Sequence, residues 1–263
     1  MRQIIIALLG ATALSIACVP GVLAADLPVK APAALAAYNW SGFYVGGNVG
    51  YGWGQSSDPS VTVFDGSGTG LVGYFAAAGN VTPNLRPKGA IGGVQAGYDW
   101  MVSPNWLAGF VADFQASGVK ASGANLPIVP GFNPANLTNR VATDWFGTVR
   151  AKVGLAQNNL LYYLTGGLAY GDIKTSGSLV CTLVCALNYV GANNSTKVGW
   201  TAGAGFDYGI TRNWIVGLEY LYVSLGSSSY TETAATGIAP LTTITISNRD
   251  AINIVRLTAN YKF

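Results

Sequence analysis

Residues 148–156, TVRAKVGLA, alternate without a break: Val149, Ala151, Val153 and Leu155 are apolar, and Thr148, Arg150, Lys152 and Gly154 fall between them. A period of two is the period of a strand. Successive side chains of a strand point to opposite faces, so this strand borders two different media. Against lipid, a Lys or Arg costs ~2–4 kcal/mol at the bilayer midplane. Arg150 and Lys152 therefore face away from the apolar side, toward carboxylates that can hold them.

The pattern recurs along the chain. Phe43, Val45, Val49, Tyr51 and Trp53 alternate with Gly and Asn; Ala90–Trp100 and Trp106–Ser117 repeat it; residues 141–155 contain the opening stretch. Further strands are expected at 160–171, 197–210, 214–225 and 250–263. Their connections alternate in length. VSPN, AQNN and TRN are tight, whereas 55–86, 118–140, 172–196 and 226–249 are long and rich in Gly, Ser, Thr, Asn and Pro. Short turns on one side and long loops on the other are a membrane-barrel pattern. The expectation is all-β: an eight-stranded antiparallel transmembrane β-barrel with short periplasmic turns and long external loops.

Composition agrees. Half of the 263 residues are hydrophobic and a tenth are charged, against about a quarter charged in soluble domains. Beyond the N-terminus no apolar run reaches the ~18–20 residues of a membrane helix. The N-terminus reads as an export signal over 1–24: Arg2, an apolar stretch over Ile4–Val22, and small residues for cleavage after Ala24 or Ala25. Residues 25–38 form a periplasmic lead-in and 39–263 the barrel. Removing Arg2 takes the formal charge from +3 to +2, which argues against nucleic acid as a partner. Cys181 and Cys185, in CTLVC, form a possible disulfide in an oxidising compartment. With no histidine in the chain and two cysteines left once the signal with Cys18 is removed, a four-ligand zinc site is not expected, and no cofactor is.

One parity rule sends Asp99, Asp113, Arg150, Lys152, Asp207, Glu219, Arg256 and Lys262 into the lumen, four acids and four bases. Asp113, Arg150, Glu219 and Arg256 are expected in one layer, and Asp99, Lys152, Asp207 and Lys262 nearer the periplasm. Asp144 is a further inward candidate near the external mouth. An eight-stranded interior is just filled by side chains, so these pairs read as a plug. The many inward glycines leave water-filled pockets open as the alternative. Trp40, Trp53, Trp100, Trp106, Trp145, Trp200 and Trp214 all stand at expected strand ends, where indole favours the membrane interface.

GYDWMVSPNWLAG (97–109) aligns without a gap on GFDYGITRNWIVG (205–217), two strand–turn–strand units of one design. NWSGFYVGGNVGYGWG (39–54), GGVQAGYDW (92–100), WFGTVRAKVGLA (145–156), LTGGLAYG (164–171), GWTAGAGFDYGITRNW (199–214), EYLYVSLG (219–226) and the terminal YKF resemble the small alphaproteobacterial outer-membrane β-barrel proteins. These are the porin-family or surface-antigen proteins, related to the opacity proteins and the OmpA-type barrel. The resemblance implies an eight-stranded barrel in the outer membrane with exposed loops. It also implies that Tyr261 and the terminal Phe263 are read by the barrel-assembly machinery. Val111 departs from the family, which often has an acid two residues before the position of Asp113.

Without histidine a Ser-His mechanism is impossible, and GGNVGYG lacks the Lys-Ser/Thr of a phosphate loop. No enzymatic activity is expected. The leading reading is a structural outer-membrane protein that supports the envelope through lipid and lipopolysaccharide contacts and presents its loops. A narrow porin for small solutes is the alternative, and a host or surface ligand at the loops stays open.

Overall fold

A computed structural model describes residues 38–54, 60–70, 72, 73, 76, 85–125, 135–181, 188–234 and 241–263. The expected signal, most of the lead-in and Cys185 lie outside the described residues, and so does the Cys181 side chain. Among the described residues nine strands follow in order: β1 Gly42–Gly54, β2 Ser60–Asp65, β3 Lys88–Met101, β4 Trp106–Asn125, β5 Ala135–Gln157, β6 Leu160–Cys181, β7 Asn188–Gly209, β8 Trp214–Ala234 and β9 Thr242–Lys262. Each pairs antiparallel with its neighbour, and β1 closes the ring on β9 from Tyr44↔Lys262 to Gly54↔Ile252. β2 then continues that column on β9, from Ser60↔Ser247 to Asp65↔Thr242. The ring thus has eight columns, one of them built from two strands.

The outer face is apolar. Val94, Leu164 and Val198 are 65%, 68% and 72% exposed. In water such a surface would forfeit about 1.5–3 kcal/mol per large side chain; in lipid it is solvated. Two aromatic girdles bound it. Trp100, Trp106 and Trp214 ring the turn end with Tyr98, Phe110, Tyr261 and Phe263, and Trp53, Trp145 and Trp200 ring the other with Phe114 and Tyr222. Trp106 stands opposite Leu155 and Trp145 opposite Ala116, ten residues apart on either strand. At ~3.3 Å per residue and ~40° of tilt this spans ~25 Å, the height of a barrel's apolar band.

The two tight turns of the repeat units share one design. Val102 N–H donates to the Trp106 carbonyl and Ile210 N–H to the Trp214 carbonyl, both at 2.9 Å. The Asn of each repeat unit then ties its turn to the neighbouring strand, Asn105 to Ala156 O and Asn213 to Lys262 O.

Three expectations are corrected. The long segments are not all loop: β2 lies within 55–86, and β4 through β9 run on past the girdle, so that the strands from β4 onward are 20–23 residues long. About 9–11 residues cross a bilayer; the rest form an extension of the barrel beyond it. Outside lipid neither face must be apolar, so hydropathy loses its period there although the backbone keeps its own. Asp144 is not inward. Between Thr143↔Ile173 and Phe146↔Gly171, β5 advances three residues while β6 advances two. That bulge flips the parity, so Asp144 turns outward to Lys174 Nζ at 2.5 Å. Trp40 is not at the lipid interface: it is 1% exposed, folded under the turn end of the barrel, with its indole N–H donating to Asn158 O at 3.1 Å. Its strand-end position in sequence is shared with the other tryptophans, but it precedes β1 and packs with the lumen residues Leu107, Leu161, Tyr163 and Ile215.

Candidate functional site

β4, β5, β8 and β9 each bring one charged side chain to the middle of the lumen. Arg150 reaches Asp113 through Nη2 at 2.9 Å and Glu219 through Nη1 at 2.6 Å. Arg256 reaches Asp113 at 2.9 Å and Glu219 at 2.6 Å. Every acid meets both bases, a closed four-membered ring with zero formal charge. Glu219 and Arg256 are directly opposed in the ladder. Asp113 is opposed not to Arg150 but to Thr148, whose hydroxyl donates to Asp113 Oδ2 and accepts from Arg150 Nε, both at 2.9 Å. All four charged side chains are at most 4% exposed. Each charge is costly to bury alone and is held here only because it is paired and hydrogen-bonded on several sides.

The next layer toward the turns is built by the repeat. Asp99 and Asp207, equivalent residues of the two units, converge on Lys152 at 2.8 and 3.4 Å. The Lys152 ammonium also lies 4.7 Å from the Tyr163 ring centre and 5.3 Å from that of Tyr44, within cation–π range. Lys262 departs from the expected layer. It has no ion pair among the described residues; its Nζ donates to Asn39 O and stands 4.7 Å over the Tyr38 ring. It is the last inward residue of β9, at the rim where Tyr38–Trp40 pass beneath the barrel, so the nearest acceptor is backbone.

Glycine makes room for these groups. A Cβ at Gly50 would lie 2.6 Å from Arg256 Cβ, and one at Gly205 2.6 Å from the Tyr163 hydroxyl. The space above these inward glycines is filled by the bulky partners across from them. Beside the ring, Gln95 links Asn48 at 3.3 Å and Asn260 at 2.8 Å. Tyr44, Thr148, Asn48, Gln95 and Asn260 are site residues that charge alone did not single out. Their shared inward parity was the signal.

Apolar layers close the charged ones on both sides. Toward the extension Ile91, Phe146, Leu221, Val223, Ile252 and Ile254 pack together, and toward the turns Trp40 packs with Leu107 and Leu161. No carboxylate of the ring is free to act as base, and among the described residues no group of His, Cys, Asp or Glu is placed to hold a metal ion. The arrangement holds strands together and fills space. On the lipid face the chain's end is built into the girdle: Phe263 stacks on Phe43 at 5.8 Å and meets Tyr261 edge-on at 5.3 Å.

The model of the family described as outer membrane protein beta-barrel domain matches residues 21–263. The 31 kDa outer-membrane immunogenic protein of Brucella melitensis biotype 1 is 33% identical over 247 residues, 92% of this chain and 93% of that one. The 22 kDa outer membrane protein of Rhizobium leguminosarum bv. viciae is 28% identical over 207 residues, 79% of this chain and 72% of its own. Among solved structures, the outer membrane protein OprG from Pseudomonas aeruginosa covers 86% of this chain and 99% of its own at 11% identity, with a TM-score of 0.43. A closed antiparallel ring, a lipid band between two aromatic girdles and a family match over nearly the whole length lead to one assignment: this chain belongs to the outer-membrane β-barrel protein family and resides in the bacterial outer membrane.

Proposed function

We propose that this protein is a closed, non-enzymatic structural barrel that strengthens the outer membrane and presents its extension at the cell surface. One observation carries the reading: two charged layers lie between apolar layers across the lumen, and the inward glycines sit beneath bulky side chains rather than beside open space. A conducting path would have to displace both kinds of layer. The ring carboxylates are tied to arginines, and no histidine is present to serve as a base, which favours a structural over a catalytic role. The name of the Brucella relative, an immunogenic outer-membrane protein, accords with an exposed extension.

The test is single-channel recording of the purified, heat-modifiable mature protein in a planar lipid bilayer. A silent membrane is expected. Steady, discrete openings would instead make this a small-solute pore. A strain lacking the protein is expected to become more sensitive to detergent, and unchanged sensitivity would remove the envelope role.

A further inference from the structure

The four charges of the central ring balance, but those on the barrel's surface do not. Among the described residues Asp144 is the sole exposed Asp or Glu side chain, and Lys174 occupies it at 2.5 Å. Arg86, Lys88, Lys120 and Arg140 are all exposed, and none has an ion-pair partner among the described residues.

Three of them, Lys88, Lys120 and Arg140, gather in one place. Lys88 and Lys120 are directly opposed on β3 and β4, a like-charge pair that destabilises a ladder. Arg140 on β5 is opposed to Ser122, two residues along β4 from Lys120, and so is a diagonal neighbour. The height of the group is fixed by the girdle. Lys88 stands opposite Trp53, and Lys120 lies four residues beyond Ala116, the partner of Trp145. The cations therefore begin at the outer edge of the hydrocarbon and extend just beyond it, where lipid phosphates lie. Next to a low-dielectric slab their mutual repulsion is less screened than in water, and an anion between them removes it. Above them the face is hollow and polar. One shallow depression is lined by Ser122, Thr138, Arg140 and Ser178 and a second by Arg140, Asn193, Asn194 and the Asp144–Lys174 pair, whose carboxylate Lys174 neutralises. They meet at Arg140, and hydroxyls and amides of this kind suit sugar.

We infer that the outward face of β3–β7, just beyond the external aromatic girdle, is a docking surface for a phosphorylated glycolipid of the outer leaflet. Lys88, Lys120 and Arg140 take its phosphates and the polar hollows take its sugars. The inference deepens the structural reading, since it names how the barrel would grip the envelope.

The test measures binding of bisphosphorylated lipid A to the folded barrel in neutral detergent micelles. Binding is expected to fall at least about tenfold in K88E/K120E, to fall less in K88Q/K120Q, and to weaken as salt rises. The neutral variant keeps the test decisive if charge reversal impairs assembly. Heat-modifiable migration checks that each variant is folded. Wild-type affinity in the folded variants would overturn the inference. Competition by millimolar inorganic phosphate would overturn the lipid source. Phosphatidylglycerol binding as tightly as lipid A would overturn the glycolipid. Bilayer recordings on the same samples separate the two readings: openings in wild type would defeat the closed barrel, whereas loss of charge dependence in a silent barrel would defeat the docking surface alone.

Discussion

Arg150 touches Asp113, Glu219, Thr148 and Thr165, so a single side chain spans four positions of the lumen wall. Arg150→Ala is expected to destabilise the barrel by about 3–5 kcal/mol, the cost of leaving buried charge uncompensated. Arg256 still bridges the two acids, so the loss is one of charge balance rather than of every bond. Arg150→Ala combined with Asp113→Ala removes one charge of each sign. Urea unfolding in lipid vesicles is expected to show the double variant losing clearly less than the sum of the singles; strict additivity would mean that the two side chains do not act as a unit. The membership of this ring could be read from parity alone. What could not be read was that each arginine takes both acids, because tilt and shear shift neighbouring strands in height. Lys262 shows the same limit: its inward parity was legible, but its acceptor, the Asn39 carbonyl, lies on a segment with no period.

Within the membrane an element is legible because lipid enforces alternation, and β5 from Thr148 to Leu155 keeps it throughout. Above Thr143 the bulge inverts it, and the polar composition conceals both the inversion and the continuing strand. β2 was hidden for the same reason, since SVTVFD is short and follows the interruption of its column. The extension so formed holds a group that composition does not mark. Glu232, on β8 well past the girdle, is fully buried, and neither carboxylate oxygen has a hydrogen-bond partner among the described residues. It stands opposite Ile244, a member of the apolar cluster that also holds Leu137, Leu179 and Tyr230, with the Tyr230 hydroxyl turned instead to Asn139 Oδ1 at 3.2 Å. Burial pushes the Glu232 carboxyl up to about 8, and burial likewise pushes Asp250 up to about 6 against the opposing pull of Ser228 and Lys197. The folded extension therefore binds more protons than the unfolded chain between the ordinary carboxylate range and these values. Its stability is complete below that range and falls as pH climbs toward 8. Glu232→Gln is expected to abolish the decline between pH 6 and 8 and to leave below pH 6 a shallower decline, the share of Asp250. Resistance of the extension to protease across pH 5–9 measures this, and a wild-type profile flat above pH 6 would show that the carboxylate has a partner in the membrane-embedded protein.

Across the whole molecule, lipid outside and ion pairs inside are two answers to one constraint. A narrow ring of strands leaves a core too small to be purely apolar on tilted, glycine-rich walls, and arginines long enough to cross it bind opposite strands together. On the proposed reading, the lumen is closed more than once. Phe146, Leu221 and Ile254 lie on one side of the ring, and Trp40 with Leu107 on the other. A narrow apolar constriction stays dry and blocks ions without any charge of its own. Arg150→Ala should therefore lower the unfolding midpoint yet leave the bilayer silent. Openings are expected only when an apolar layer is also removed, as in Arg150→Ala with Phe146→Ala and Leu221→Ala, and larger ones when Trp40→Ala is added at the turn end. If Arg150→Ala alone produced steady conductance, the ion ring would be the sole barrier and the apolar layers would be wet. If the triple variant stayed folded and silent, the strands would have closed over the space, and the seal would belong to the backbone ring rather than to the side chains that fill it.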